Sequence, residues 1–171
     1  MTTPYPWPWD GHLDPVRLAL LAVSCPQPAD RGEAVEALAG RVRQAGGLIV
    51  SVRVRPPSHP PAPPADAAPL KPDQVVHAAG WDGFHGSDLD SVLRAAGRDL
   101  LLLAGCCLEL GVHSTMRAAN DRGYECLLVE DACAAAAPDL RHAALSTIEM
   151  SGGIFGAVGS TTAVATLMER S

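Results

Sequence analysis

A chain of 171 residues, 47% of them hydrophobic but only 4% aromatic and 19% charged, is long enough for one domain with a sizeable core built mainly from Ala, Val and Leu. Its formal net charge of -6 leaves it without the basic surface that neutralises phosphates, which excludes nucleic acid and anionic membrane as main partners. No apolar run approaches the roughly 18 to 20 residues that cross a bilayer.

Residues 1–10 are rich in Pro and Trp where an export signal would be basic and then apolar. Together with five cysteines, an odd number lacking CxxC spacing, this predicts a protein of the reducing cytoplasm. Leu18 to Val23 (LALLAV) is a continuous apolar run of the kind that forms a strand buried on both faces. Glu33 to Ala45 follows with Val35, Leu38, Ala39 and Val42 at helical spacing. The next strand, GLIVSVRV, ends at Val54.

Pro56 to Pro72 is a low-complexity, proline-rich stretch, which lacks backbone donors and reads as a surface connection. Ser87 to Ala96 opens with Ser-Asp before Leu89, Val92 and Leu93 and reads as a helix. DLLLLAG, ending at Gly105, and ECLLVE, around Leu127, are further buried strands, separated by a helix. GGIFGAV, ending at Val158, reads as a last strand whose glycines admit close backbones, and Thr161 to Glu169 as a closing helix. Apolar runs alternating with helices predict a single α/β domain over residues 1–171: three α/β/α layers around a doubly wound, mostly parallel sheet.

The segment Gly105 to Asp131, GCCLELGVHSTMRAANDRGYECLLVED, carries the chemistry-bearing pattern. It resembles the nucleophile segment of the isochorismatase-like cysteine hydrolases, and its helix looks like the branch containing biuret and ureidoacrylate amidohydrolases. The resemblance implies that a catalytic cysteine would stand six residues after the glycine closing the strand, and there this chain has Gly111. Strand one, ALLAVSCP, resembles the family's ALLVIDMQ, so the proton-accepting aspartate position is Ser24. AAGWDGFHGSDL, from Ala78 to Leu89, resembles the pattern that begins with the family's lysine, so that position is Ala78. Thiol activation needs a base and a positive neighbour, and none of these three residues attacks, accepts a proton or supplies charge. The resemblance therefore implies a pseudoenzyme, with a diverged amidohydrolase acting on amide or ureido C–N bonds as the alternative.

A rebuilt site would draw on Cys25, Cys107, Glu109 and His113, all expected near the pocket rim. For Cys25 and Cys107 the simpler expectation is a small buried hydrophobe, since neither is expected at a helix N-terminus. For Glu109 it is a structural carboxylate. Cys106, Cys126 and Cys133 are expected to be packing residues, and Ser114-Thr115 to cap or pack a helix. The histidines show no ligand spacing, so neither metal nor cofactor is expected. The only lysine, Lys71, lies in the proline-rich connection. The resemblance further implies a homo-oligomer or a hetero-oligomer with an active paralogue, and a possible small-molecule ligand.

Overall fold

The computed structural model describes residues 13–25, 32–55 and 70–170; the opening segment and most of the proline-rich connection lie outside them. In chain order the elements are β1 (Leu18–Ser24), α1 (Gly32–Gln44), β2 (Leu48–Val54), β3 (Gln74–Ala78), α2 (Leu89–Ala95) and β4 (Leu100–Cys106). A π-helical turn (Leu108–Val112) then leads directly into α3 (His113–Asp121), followed by β5 (Glu125–Ala134), α4 (Pro138–Met150), β6 (Ala157–Gly159) and α5 (Thr161–Arg170).

The strands form one sheet in the order β3-β2-β1-β4-β5-β6, and each neighbouring pair is parallel. The expected doubly wound α/β architecture is therefore present, with every pairing parallel. β1 and β4 occupy the centre, buried almost end to end, because their Leu, Ala and Val side chains meet helices on both faces. Alternation divides the core. Ala19, Leu21, Val23, Val52, Val54, Leu101 and Leu103 join the cluster that includes Leu108, Val112 and Met116. Leu18, Leu20, Leu102 and Leu127 join Leu38, Val42 and Val164 on the other face.

Three local readings need correction. Gln74–Ala78 was not expected to be a strand; as a short outer strand it buries only Val76 and Ala78, too little for an apolar run to show. The helix Pro138–Met150 was also missed, since it buries only Ala144 and Ile148 and its thin stripe of Leu140, Ala144 and Ile148 begins with an exposed residue. Finally, GGIFGAV is a strand only over Ala157–Gly159. Before it the chain turns through positive φ at Gly152 and Gly153, whereas Gly156 admits the close backbone expected of these glycines, since a Cβ there would overlap the Cys126 carbonyl.

β5 carries a register break. Leu103 pairs with Leu128 but Gly105 pairs with Cys133, so residues 129–132 stand opposite Ala104 alone. The bulge brings Asp131 to the start of α5, where its carboxylate accepts from the Thr161 N–H at 2.8 Å and from its hydroxyl at 2.6 Å, a side-chain cap for donors that the helix cannot satisfy.

Candidate functional site

The strand order reverses between β1 and β4, and it is beyond the carboxyl ends of such strands that open parallel sheets form their clefts. Two features of β4 shape this place. Gly105 has φ 128°, and a Cβ there would overlap the carbonyl of Val23 on β1. Cys107 is left-handed, with φ 57° and ψ 59°, a conformation that side chains other than glycine seldom adopt. It turns the chain into the π-helical turn, whose Leu110 and Val112 N–H groups donate to the Cys107 carbonyl at 3.0 and 3.3 Å.

This turn gathers sulfur. Cys25, directly after β1, is disulfide-bonded to Cys107. Cys106 Sγ lies 2.9 Å from Cys25 Sγ and accepts the Cys25 backbone N–H at 2.9 Å. The expectation that Cys106 only packs is therefore wrong, as is the reading of Cys25 and Cys107 as separate buried thiols. Successive strand residues point to opposite faces, so a sequence reading separates Cys106 from Cys107; the left-handed residue abolishes that alternation. Cys126 and Cys133 are buried elsewhere in the core, as expected of packing residues. In the denatured chain, three thiols should react with a disulfide reagent before reduction and five after it. Five in both states would contradict the bond.

Burial raises the Cys106 thiol above its ordinary range, and nearby Glu109 adds to this against the lowering effect of backbone N–H donors. It is a protonated thiol near neutral pH rather than an activated one.

The inherited positions lie in apolar surroundings. A side chain at Gly111 would begin 3.3 Å from Val23 Cγ1 and 3.4 Å from Val54 Cγ2. Ala78, 2% exposed, belongs to the same cluster as Val23, Val54 and Phe84. Ser24 is one residue out of phase with Val23 and Cys25 and makes a long hydroxyl contact, 3.5 Å, to the Val52 carbonyl. Lys71 is exposed, and its carbonyl accepts from Arg43.

Glu109 uses one carboxylate oxygen to accept the Ala136 N–H at 3.0 Å, whereas the other is buried without a hydrogen-bond partner. This ties the turn to the entry of α4, as expected of a structural carboxylate. His113, at the start of α3, meets the Phe155 ring edge-on with centroids 6.0 Å apart, and its Nε2 is buried without a partner.

Burial, with Arg117 secondary, holds His113 below the usual imidazole value of 6.5. The unfolded chain therefore binds a proton that the folded chain resists. The stability from neutral His113 is complete above about pH 6.5 and is lost as pH falls towards its depressed folded value. His113→Phe should flatten that part of the stability profile, as read by denaturant unfolding between pH 7.5 and 5; an unchanged acid slope would show that His113 does not cause it.

Thr115 is fully buried and joins two segments of the site. Its hydroxyl donates to the Gly111 carbonyl at 2.7 Å and accepts the Gly83 N–H at 2.9 Å. The expected packing role thus includes a polar bridge between α3 and the loop after β3. Thr115→Val preserves shape but strands the Gly83 donor, so it should destabilise by about 1–3 kcal/mol, measured by chemical denaturation.

A family model described as the Isochorismatase domain matches residues 22–163. The chain is 33% identical over 85 residues to the uncharacterized isochorismatase family protein YecD of Escherichia coli O157:H7, covering 50% of this chain and 45% of that protein. It is 38% identical over 97 residues to the ureidoacrylate amidohydrolase RutB of Caulobacter vibrioides, covering 56% and 42%. These matches thus span less than half the length of either relative. Among solved structures, a cysteine hydrolase from Pseudomonas syringae pv. phaseolicola 1448A superposes with a TM-score of 0.76 at 22% identity, over 98% of this chain and 97% of that one. With the switch point of the sheet between β1 and β4 and a family match over residues 22–163, this chain belongs to the isochorismatase family.

Proposed function

We propose that this chain is a non-catalytic member of the family, which partners or regulates an active paralogue or holds a small ligand in the cleft. The surroundings of Gly111 carry this reading. At the position that the resemblance assigns to the attacking sulfur, a side chain would meet the methyl groups of Val23 and Val54 first and the Cys106 carbonyl at 3.8 Å. Hydrolysis through an acyl-cysteine needs a thiolate, a proton acceptor and a positive neighbour. A hydroxyl at Ser24 does not accept a proton near neutral pH, and the methyl group of Ala78 supplies no charge.

The sulfurs nearby do not replace the missing thiolate as the structure stands. Cys25 and Cys107 are bonded to each other, and burial keeps Cys106 protonated. Support for a partner comes from apolar surface. Leu110 is exposed on the turn against which α4 packs, and Leu140, Met150 and Ile154 are exposed on and just after α4. A partner would cover these exposed apolar side chains. Among the described residues no helix is long and apolar enough to cross a membrane, and we place the protein in the cytoplasm, where a disulfide is usually a transient state.

The alternative, a diverged amidohydrolase, is favoured by one observation: sulfur converges at the carboxyl ends of β1 and β4. The two readings separate in one assay. Ammonia release from ureido compounds and simple amides is measured before and after phosphine reduction, with Cys106→Ser and Cys107→Ser beside the parent chain. No turnover above the protein-free rate in either state is expected. Turnover that appears on reduction and disappears in either variant would overturn the non-catalytic reading. Co-expression with an active homologue tests the partner role: a mixed oligomer surviving gentle salt is expected, and consistent separation of the chains would count against it.

A further inference from the structure

Three sulfur atoms meet where β1 and β4 end. Those of Cys25, Cys106 and Cys107 all lie within 4.8 Å of one another. They come from two strands whose separation is fixed by parallel pairing up to Val23 and Gly105, so they are held by the rigid centre of the fold. Cys25 and Cys107 are 9% and 4% exposed, and the Cys25 N–H already points at Cys106 Sγ.

The left-handed backbone of Cys107 sets how the three sulfurs are arranged. Here its consequence is specific: consecutive side chains 106 and 107 are both presented to Cys25. With the Cys25–Cys107 bond closed, Cys106 is the one of these three that remains a thiol. With the bond open, the same place offers three soft ligands.

We propose that, when reduced, Cys25, Cys106 and Cys107 form a trithiolate site for one thiophilic d10 cation, Zn²⁺ or Cu⁺, at the carboxyl ends of β1 and β4. Thiolate ligands select these cations over hard ones. A metal–sulfur distance of about 2.3 Å sets sulfurs around a shared cation at about 3.8 to 4.0 Å apart. The three sulfurs lie within 4.8 Å of one another, close to that spacing. The chemistry balances with a reductant of the thiol or phosphine class. It delivers two electrons and leaves as its own disulfide or, taking the oxygen of one water, as a phosphine oxide; the Cys25–Cys107 bond breaks, two protons from that thiol or water complete two cysteine thiols, and the cation then displaces the thiol protons to solvent. Closing the disulfide removes two of the three ligands, so binding is confined to the reduced chain.

The full chain is reduced with a phosphine, desalted without oxygen and titrated separately with Zn²⁺ and Cu⁺ against chromophoric chelators. Co²⁺ serves as a spectroscopic stand-in whose sulfur-to-metal charge-transfer band reports thiolate ligation. One equivalent of Zn²⁺ or Cu⁺ is expected per reduced chain, and the preferred cation is the one that withstands the stronger competitor.

Cys106→Ser, which leaves the disulfide pair intact, should weaken binding at least about 100-fold, beyond the ~10–100-fold lost with an outer-shell partner. Cys126→Ala should leave it unchanged. Circular dichroism of the metal-free Cys106→Ser chain verifies that it folds. If it does not, alkylation of the parent chain followed by peptide mapping decides the matter, because bound metal should protect residues 25, 106 and 107 together.

The proposal is overturned if the reduced chain binds neither cation stoichiometrically, if a folded Cys106→Ser chain binds within about threefold of the parent, if mapping shows no joint protection, or if the oxidised chain binds equally well. These measurements read metal rather than hydrolysis, so they stand or fall apart from the non-catalytic reading of the cleft.

Discussion

Replacing Gly105 by alanine is expected to destabilise the protein by about 3 kcal/mol or more. Two costs act together. At φ 128° an L side chain is strained whatever space surrounds it, and here the added Cβ would overlap the Val23 carbonyl. β4 then has to move away from β1, and that pairing runs from Leu18↔Leu100 to Val23↔Gly105 through the middle of the sheet. The loss is measured by chemical denaturation, with near-ultraviolet circular dichroism to follow the core. Gly97→Ala is the comparison, because it also has positive φ but meets nothing within 4 Å; equal losses in the two variants would show that contact with β1 contributes nothing.

Ala78→Lys is expected to cost about 3 kcal/mol or more, although lysine is the residue that the sequence resemblance implies for this position. Ala78 is 2% exposed and packs in the apolar cluster of Val54, Val76 and Phe84. An ammonium in such a place loses hydration without a partner, and buried lysines respond with pKa values lowered by up to 3–5 units, at about 1.4 kcal/mol per unit. The variant should be markedly more stable at pH 10 than at pH 6, the reverse of an exposed lysine's indifference over that range. Denaturant midpoints across pH check this. Wild-type stability at both ends would mean that the amine escapes to solvent and that the position lies at an open cleft.

Much of the scaffold was legible along the chain. LALLAV and LLLLAG are apolar without alternation because both faces of β1 and β4 are covered, and a continuous run is the signature of that burial. The helices α1, α2 and α5 were legible from apolar spacing and capping residues. β3 and α4 were not, for the same reason in both: each buries only two side chains, so hydrophobic pattern, the signal that sequence reading depends on, is thin.

At the site, the positions of Ser24, Ala78 and Gly111 came from resemblance, and the structure adds what surrounds them. Thr115 was expected to pack, but its bridge to Gly83 depends on a partner 32 residues away. The sulfur cluster was hidden more deeply. Cys25 and Cys106 are 81 positions apart, the motif spacing that betrays a cysteine site within a short segment is missing, and the adjacent pair 106–107 would diverge in any regular strand.

Composition and apolar order along the chain thus determined the layered α/β architecture, since burying these runs on both faces leaves few other arrangements. Tertiary structure alone decided the sulfur chemistry at the cleft. It required β1 and β4 to become neighbours across a long crossover, and one residue, Cys107, to adopt a backbone conformation against its local preference, which packing imposes and no neighbouring residue announces.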